Sequence, residues 1–131
     1  MLSFIICTYN REEYIYQTLC CLANNHNNID DYEIILIDNN STDSTGDLCK
    51  KFELEYPNVK YSYFIEKQQG LSFARNRGVK EANGEMLVFL DDDAFVQENY
   101  IINLIKHLKE NSEIQALYVA LNHLFANADS F

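Results

Sequence analysis

Short apolar runs alternate along the chain with longer amphipathic segments. The runs are rich in β-branched and aromatic residues and are mostly apolar on both faces, which is typical of buried strands. Four of them, of which the third alternates, lie at residues 3–7, 32–37, 59–65 and 85–90. A fifth run at residues 114–121 predicts a further strand.

The segments between these strands carry apolar residues at helical spacing. They predict helices over residues 11–24, 44–55, 71–82 and 97–111. Glu12 is expected in the first turn of the first helix, where the helix dipole favours an acid. In the third helix Ala74, Gly78 and Ala82 recur every four residues, so this helix can lie close to the sheet, and Gly84 is expected to cap it.

The alternation of strands and helices predicts an α/β fold, a mostly parallel Rossmann-like sheet with helices on both faces. A chain of 131 residues fits one such domain. Ligands of these folds bind at the carboxyl ends of the strands. Three polar loops follow predicted strands and therefore form the candidate site, at residues 8–10, 38–43 and 91–93.

The charge balance narrows the class of ligand. The net charge is −10, from 20 acidic and 10 basic residues, and nucleic acid binding needs clustered basic residues instead. A phosphorylated small molecule stays compatible, provided that a cation reverses the local field. The 4 cysteines form no C-x-x-C pair, which argues against a zinc site.

The apolar segments also bear on where the protein resides. Residues 1–7 lack a basic flank and a small-residue cleavage site, so they predict a strand and not a signal peptide. No apolar run approaches the ~20 residues of a membrane span. We therefore expect a cytoplasmic protein with no integral membrane segment, and peripheral contact with the inner membrane face is left open.

The acidic triplet (Asp91, Asp92 and Asp93) is the strongest chemical signal. Three consecutive carboxylates repel one another. Mg²⁺ or Mn²⁺ would compensate this repulsion, because hard cations take oxygen ligands and bridge to substrate phosphates. A solvated acidic turn that caps the next helix would have the same sequence. The position at the carboxyl end of a strand favours the metal site.

Other polar residues offer binding groups of a different kind. Asp38 ends a predicted strand and could accept a hydrogen bond from a nucleobase, whereas residues 41–43 are typical of an Asx turn and a helix N-cap. Arg75 lies near the start of a helix, where the guanidinium group and the helix dipole both favour phosphate. Arg77 and Lys67 are interpreted as surface charges or salt-bridge partners.

Four segments in this order and spacing are similar to family 2 glycosyltransferases of the GT-A fold. They are SFIICTYNRE at residues 3–12, IILIDNNSTDST at 34–45, GLSFARNRGVKEANGE at 70–85 and LVFLDDDA at 87–94. Each segment alone is moderately specific, and the four together make the resemblance strong. The resemblance runs from residue 3 to about residue 120, which is nearly the whole chain.

The resemblance implies a role for each residue of the candidate site. It implies a nucleotide-binding set made of Thr8, Tyr9, Asn10, Asp38, Asn40, Arg75, Asp91 and Asp92. Asp38 would contact the base, typically uracil, and Arg75 would lie near the pyrophosphate. The acidic triplet matches the D-x-D motif of the family, so Asp93 together with Asp91 would hold Mn²⁺ or Mg²⁺.

The activity that the resemblance implies is metal-dependent sugar transfer. The donor would be a nucleoside diphosphate sugar, typically a UDP-sugar, and the acceptor a hydroxyl of a saccharide or a lipid-linked molecule, with inversion at the anomeric carbon. The metal and the arginine would stabilise the departing diphosphate, and a carboxylate would activate the acceptor hydroxyl. Bacterial cell-surface polysaccharide synthesis is a typical setting of the family.

The last part of the chain departs from the family pattern. Family members carry the general base well downstream of D-x-D, but 38 residues follow Asp93 in a chain of 131. The acids among them lie in no recognisable base motif and are Glu98, Glu110, Glu113 and Asp129. We therefore expect residues 1–131 to form a single, truncated GT-A domain that binds the nucleotide sugar and lacks the acceptor-binding part, with no identifiable catalytic base.

Two other functions stay open. A nucleotide-binding module without transfer activity would explain the missing base, and its exposed sheet edge could pair two copies into a homo-oligomer. A receiver-like or phosphatase-like domain would also use an acidic cluster for Mg²⁺. That second alternative fits poorly, because the phosphatase pattern D-x-D-x-T requires threonine where Phe95 stands, and a receiver requires acids at residues 8–10.

Overall fold

A computed structural model describes residues 1–25 and 29–110, and these residues alternate between strands and helices. The elements are β1 (Leu2–Thr8), α1 (Ile15–Ala23), β2 (Tyr32–Asp38), α2 (Thr45–Glu55), β3 (Tyr61–Ile65), α3 (Leu71–Glu81), β4 (Met86–Phe89) and α4 (Tyr100–Glu110). A 3-10 turn at Ile29–Asp31 leads into β2. Four of the five predicted strands and all four predicted helices are thereby confirmed as elements, and the fifth strand at residues 114–121 lies outside the described residues.

The four strands form one sheet in the order β3-β2-β1-β4, and every neighbouring pair is parallel. In the register of the sheet, Thr8 pairs with Asp38 and Asp38 pairs with Ile65. The carboxyl ends of three strands therefore meet at one edge, as parallel strands linked by helices require. This arrangement confirms the predicted parallel α/β fold.

Helices cover both faces of the sheet, because side chains of a strand alternate between its two faces. The larger core joins one face to α1, α2 and α4, and its strand residues include Phe4, Ile6 and Leu36. The smaller core lies on the other face, where Ile5 and Ile37 pack with residues of α3. The expectation of helices on both faces is confirmed, with three helices on one face and α3 on the other.

Helix α3 lies against the sheet at its small residues, as the sequence predicts. Ala74 and Gly78 are its buried residues. A Cβ atom added to Gly78 would lie 2.4 Å from Ile5 Cγ2 and 3.5 Å from Ile37 Cγ1. Glycine is therefore required at this position by close approach to β1, and the approach fixes how far α3 stands from the sheet.

The first helix begins later than predicted, at Ile15 instead of residue 11. Asn10 has a positive φ of 49°, and the backbone N–H of Arg11 donates to Thr45 Oγ1 over 2.9 Å. These contacts hold residues 10–12 against the loop before α2. Glu12 consequently lies outside the first turn of α1, and its carboxylate accepts a hydrogen bond from the Ser44 N–H over 3.0 Å.

Gly84 does not cap α3, in contrast to the prediction. The helix ends at Glu81, and Ala82 follows in an extended conformation. The Gly84 N–H instead donates to Ser3 Oγ over 2.7 Å. A Cβ atom at Gly84 would lie 2.6 Å from the Met1 carbonyl oxygen, so the glycine serves the close passage of the chain over the start of β1.

Two further properties concern the outside of the fold. No helix in the described part of the chain is long and apolar enough to cross a membrane. Among the same residues β3 pairs with β2 alone and β4 with β1 alone, so each has one free edge. Pairing of two copies through such an edge remains a prediction.

Candidate functional site

A cavity of about 560 Å³ opens at the carboxyl end of the sheet, on the face that α3 covers. Ile5 and Cys7 of β1 and Ala74 of α3 line it together with polar residues from three loops. Of the predicted site residues, six line this cavity: Thr8, Tyr9, Arg75, Asp91, Asp92 and Asp93. The structure therefore brings the end of β1, the start of α3 and the acidic triplet together around one space.

Thr8 and Tyr9 form the wall that follows β1. Thr8 is 2% exposed, and its Oγ1 makes no hydrogen bond of ordinary geometry. The hydroxyl is nevertheless close enough to the Asp92 carboxylate to lower the pKa of Asp92. A buried hydroxyl without a full partner is unfavourable, so Thr8 is ready to bond a ligand. Tyr9 is 47% exposed at the mouth of the cavity.

The three members of the acidic triplet differ in their surroundings. Asp91 and Asp93 are exposed, whereas Asp92 is half-buried. The Asp92 carboxylate lies 3.4 Å from Arg11 Nε, and Thr18 Oγ1 donates to the Asp92 carbonyl oxygen over 2.9 Å. Burial raises the pKa of Asp92, and the charge of Arg11 partly opposes this effect. Asp92 is thus anchored to α1 and its preceding loop.

The donor set around the triplet suits a hard divalent cation. Within the described residues no three acidic, histidine or cysteine side chains converge into a ready metal cluster. Asp91 and Asp93 both line the cavity, and Mg²⁺ is commonly held by one or two carboxylates, with water and substrate phosphates as its other ligands. The residues therefore fit an ion that the protein and a bound diphosphate hold together.

Arg75 supplies positive charge to the same cavity. It is one turn inside α3, which begins at Leu71. Burial is the main reason why the pKa of the Cys7 thiol is raised, to about 11. The positive charge of Arg75 lowers this pKa, and the negative charge of Asp92 raises it. Arg75 and Asp92 therefore both lie near Cys7 in this cavity.

Asn10, Asp38 and Asn40 were also predicted to bind nucleotide, but they do not line this cavity. Asn10 Oδ1 instead accepts a hydrogen bond from the Thr42 N–H over 2.8 Å. Asn40 is exposed and has a positive φ of 64°. Nucleotide binding by these residues remains a prediction.

Asp38 is held firmly in place at the end of β2. It is 3% exposed, and its Oδ1 accepts from the Ser41 N–H over 2.9 Å while its Oδ2 accepts from the Tyr63 hydroxyl over 2.5 Å. Burial and the bond to Asp38 raise the pKa of Tyr63, which therefore stays protonated and donates. A contact from Asp38 to the base would use the remaining lone pairs.

Arg77 confirms its interpretation as a salt-bridge partner. Its guanidinium group lies 3.0 Å from Glu81 Oε1 and 3.8 Å from Glu66 Oε1. It also lies over the Phe64 ring, 5.2 Å from the centroid. These contacts direct Arg77 to the outside of α3, and Lys67 is exposed.

Sequence reasoning missed several lining residues, namely Arg11, Asn39, Gln69, Gly70 and Leu71. The alternation of β2 could have found Asn39. Ile35 and Ile37 face α3, so Asn39 continues on the side of the cavity, whereas Asp38 continues on the side of Leu36. Arg11 and Gln69 carry no comparable signal, because each lies in a loop without a period.

The chain is similar to known proteins in both sequence and structure. The sequence model of glycosyl transferase family 2 matches residues 3–128. The poly(ribitol-phosphate) beta-glucosyltransferase of Bacillus spizizenii is 33% identical over 110 residues, which cover 84% of this chain and 17% of that protein. Similar proteins of known three-dimensional structure include two glycosyltransferase complexes.

S. aureus TarS 1–349 in complex with UDP has a TM-score of 0.77 and 26% identity, over 85% of this chain and 32% of that one. The mannosyltransferase PcManGT from Pyrobaculum calidifontis, in complex with GDP-Man and Mn²⁺, has a TM-score of 0.78 and 26% identity, over 82% and 32%. The chain thus spans from about a sixth to a third of the length of these relatives.

Proposed function

The chain belongs to glycosyl transferase family 2, and from this membership we propose that its cavity binds a nucleoside diphosphate sugar. The proposed nucleotide is UDP, and Mn²⁺ or Mg²⁺ is the proposed metal. The proposal goes on to the complete protein, which would transfer the sugar to a hydroxyl of a saccharide or lipid-linked acceptor with inversion at the anomeric carbon.

One observation carries the proposal: a single cavity joins Arg75 to the exposed carboxylates of Asp91 and Asp93. Opposite charges in one cavity are suited to a metal diphosphate, because the carboxylates attract the cation and the arginine attracts the phosphates. The start of α3 borders the same space through Gly70 and Leu71. A helix begins there, so its backbone N–H groups add a further site for an anion.

The ligands of two relatives support a nucleotide, and one of them supports a divalent ion. TarS is described in complex with UDP, and PcManGT in complex with GDP-Man and Mn²⁺. The two complexes carry different bases, so they support the class of ligand and leave its base to be tested. UDP is proposed here because the sequence resembles family members that typically bind uracil.

In the proposed complex each described residue has a separate task. Arg75 would neutralise charge on the diphosphate, which also becomes the leaving group. Asp91 and Asp93 would hold the metal, which when bound supplies a Lewis acid to the phosphate oxygens. Thr8 would donate a hydrogen bond from its hydroxyl group to the nucleotide. Asp92 would hold the acidic triplet in place through its contact with Arg11.

The transfer step requires a general base that the described residues do not supply at this cavity. Among them, the acids that line it are Asp91, Asp92 and Asp93, all of which are assigned to the metal or to its support. We therefore assign the base and the acceptor site to parts of the protein outside residues 1–25 and 29–110. The same observation favours a second candidate function, nucleotide binding without transfer.

A calorimetric titration with matched variants tests the proposed site. UDP is titrated into the wild-type chain, Asp93→Asn and Glu53→Gln in the presence of Mn²⁺. Asp93→Asn removes one cavity carboxylate, whereas Glu53 is exposed on α2 and its variant makes the same chemical change elsewhere. We expect Asp93→Asn to bind UDP at least about tenfold more weakly and Glu53→Gln to bind like the wild type.

The two variants also separate the possible results. Equal UDP affinity in all three proteins would remove Asp93 from the metal site. Absence of UDP binding in the wild type would contradict the nucleotide proposal itself. Release of labelled sugar from a UDP-sugar by the chain, with or without an acceptor, would favour an enzyme over the module without transfer activity.

A further inference from the structure

Asn39 occupies the junction between two strand ends and the loop that precedes α3. It follows β2 directly and is 6% exposed. Its backbone N–H donates to the Thr8 carbonyl oxygen over 2.8 Å, and its own carbonyl oxygen accepts from Gln69 Nε2 over 2.6 Å. The backbone N–H and carbonyl groups of Asn39 are therefore both held by hydrogen bonds, independently of its side chain.

The side-chain amide of Asn39 uses its hydrogen-bonding groups on a single loop, at residues 66–70. Nδ2 donates to the carbonyl oxygens of Glu66 over 3.0 Å and Gln68 over 2.9 Å. Oδ1 accepts from the Gly70 N–H over 2.9 Å. Two donors and one acceptor thus meet two carbonyl groups and one N–H, which uses both donors and one of the two acceptor lone pairs of the carboxamide.

This loop forms one wall of the cavity and sets where α3 begins. Gln69 and Gly70 line the cavity beside Asn39. Gly70 has a φ of 138°, and its carbonyl oxygen accepts the Phe73 N–H over 3.1 Å in the first turn of α3. Arg75 follows one turn later. A shift of the loop would therefore move the arginine relative to the acidic triplet.

We propose that Asn39 is a positioning residue of the nucleotide site, whose carboxamide fixes residues 66–70 and, through Gly70, the place of Arg75. This inference rests on the proposed function for its effect on nucleotide binding. Its structural half, the hold on the loop, stands without a nucleotide. An aspartate at this position would keep the size of the side chain and replace two donors by acceptors.

The variant Asn39→Asp tests this inference because it changes hydrogen bonding and leaves the shape unchanged. An ionised carboxylate would face the carbonyl oxygens of Glu66 and Gln68, and like dipoles and unpaired buried acceptors are unfavourable. At pH 7.5 we expect the UDP·Mn²⁺ complex to bind the variant at least about tenfold more weakly than the wild type. We also expect faster amide hydrogen exchange at residues 66–71 without nucleotide.

Lowering the pH distinguishes a positioning role from general damage to the fold. A buried carboxylate that faces acceptors has a raised pKa, and once protonated it can donate to one carbonyl group. The ratio of the variant's dissociation constant to that of the wild type should therefore decrease towards 1 as the pH falls from 7.5 towards 5.5. Comparing the ratio at each pH removes the titration of the nucleotide, which both proteins share.

Three further variants complete the design. Gln68→Glu places the same extra charge on the exposed side of the same loop, and we expect its exchange and UDP affinity to stay within about twofold of the wild type. Gln69→Ala removes the donor to the Asn39 carbonyl group at an exposed position. It measures what this backbone contact adds to the hold on the loop. Asn39→Ala, which removes the carboxamide without adding a charge, serves if Asn39→Asp fails to fold.

Loop exchange and UDP affinity like those of the wild type in Asn39→Asp would overturn the inference, as would unchanged loop exchange in Asn39→Ala if the first variant does not fold. A ratio of dissociation constants that is independent of pH would also count against it. If the wild-type chain binds no UDP, the proposed function fails, and the exchange measurements alone then decide whether Asn39 holds the loop.

Discussion

Single residues of one type have different tasks in this molecule because their surroundings differ. Asp91 and Asp93 face the cavity with exposed carboxylates, and the Asp92 carboxylate lies against Arg11. Thr18 is fully buried and holds the Asp92 carbonyl group from α1. The middle residue of the triplet thus ties the acidic loop to the fold, while its two neighbours line the cavity in which a cation is proposed to bind.

Glu33 is a buried carboxylate at the opposite end of the sheet, away from the site. It accepts from Ser3 Oγ over 2.6 Å and from the Asn83 N–H over 2.7 Å. Burial alone would raise the pKa of Glu33, but the hydrogen bonds from Ser3 and Asn83 together hold it below its ordinary value. These bonds join the starts of β1 and β2 to the chain that leads into β4.

We predict that Glu33→Gln lowers the free energy of unfolding at pH 7 by about 1–3 kcal/mol, since charge-assisted hydrogen bonds are lost. A depressed pKa stabilises the folded state above the ordinary pKa, and this stability is lost as the pH falls through the folded pKa. The difference between the two proteins should therefore shrink below about pH 4.5. Urea denaturation at several pH values measures it.

The exposed variant Glu53→Gln serves as the control for Glu33→Gln and should change stability by less than about 0.5 kcal/mol. If the difference in free energy of unfolding between Glu33→Gln and the wild type did not change with pH, the charge of Glu33 would not be its cause. Such a result would contradict the role assigned to the Glu33 carboxylate. The sequence could not predict this network. Ser3, Glu33 and Asn83 lie in three separate segments, and only the register of the sheet brings them together.

Candidate site residues were predictable to the extent that they follow the strands. Thr8, Asp91 and Asp93 come directly from the rule that ligands bind at the carboxyl ends of parallel strands. The side chain that faces the cavity depends on strand parity, and for that reason Asn39 lines the cavity in the place expected for Asp38. Arg11 was not predictable, because its place depends on a bond between the loop after β1 and the first residue of α2.

At the scale of elements, α3 is the helix on which the site depends most. It alone covers its face of the sheet among the described helices, and it carries Arg75. Its small residues were visible in the sequence as a four-residue repeat, and the structure confirms their contact with β1. Helix boundaries were less predictable, because the start of α1 depends on contacts to the loop before α2.

We predict that Gly78→Ala destabilises the fold by about 1–3 kcal/mol, the usual effect of an added methyl group in a filled core. The new Cβ atom would lie 2.4 Å from Ile5 Cγ2, so α3 must shift outwards. Helix propensity alone would favour alanine by about 1 kcal/mol, which makes the sign of the result informative. Thermal and urea denaturation measure the change.

Lys80→Ala is the matched control for Gly78→Ala, since Lys80 is exposed in the same turn of α3. Its effect should stay within about 0.5 kcal/mol. If Gly78→Ala is more stable than the wild type, α3 does not pack on β1 as described. Such a result would also remove the reason for placing Arg75 beside the acidic triplet.

The whole molecule follows from one regularity, the alternation of apolar runs with amphipathic segments. That regularity fixes a parallel sheet, the sheet fixes one edge for all strand ends, and the edge collects the polar loops. The order of the strands does not follow from the pattern. It depends on which neighbour each strand pairs with, and here β1 lies between β2 and β4.

The net charge of −10 is a property of the whole chain with a consequence for binding. Such a protein repels a diphosphate unless a cation intervenes. We predict that UDP binds at least about tenfold more weakly in EDTA than in Mn²⁺, as measured by calorimetry. Uridine, which lacks phosphates, is the control and should bind equally in both buffers. Equal UDP affinity in the two buffers would show that UDP binding does not require a metal and would contradict this prediction.

The central claim, that Mn²⁺ and UDP bind at the carboxyl end of the sheet, can be tested most directly by paramagnetic broadening of backbone amide signals. With the Mn²⁺·UDP complex added, we predict the strongest broadening at Thr8, Gly70 and Asp93, and much weaker broadening at Ser3 and Glu33 at the opposite end. Diamagnetic Mg²⁺·UDP controls for effects of binding alone. Broadening centred on any other surface, or none at all, would contradict the account.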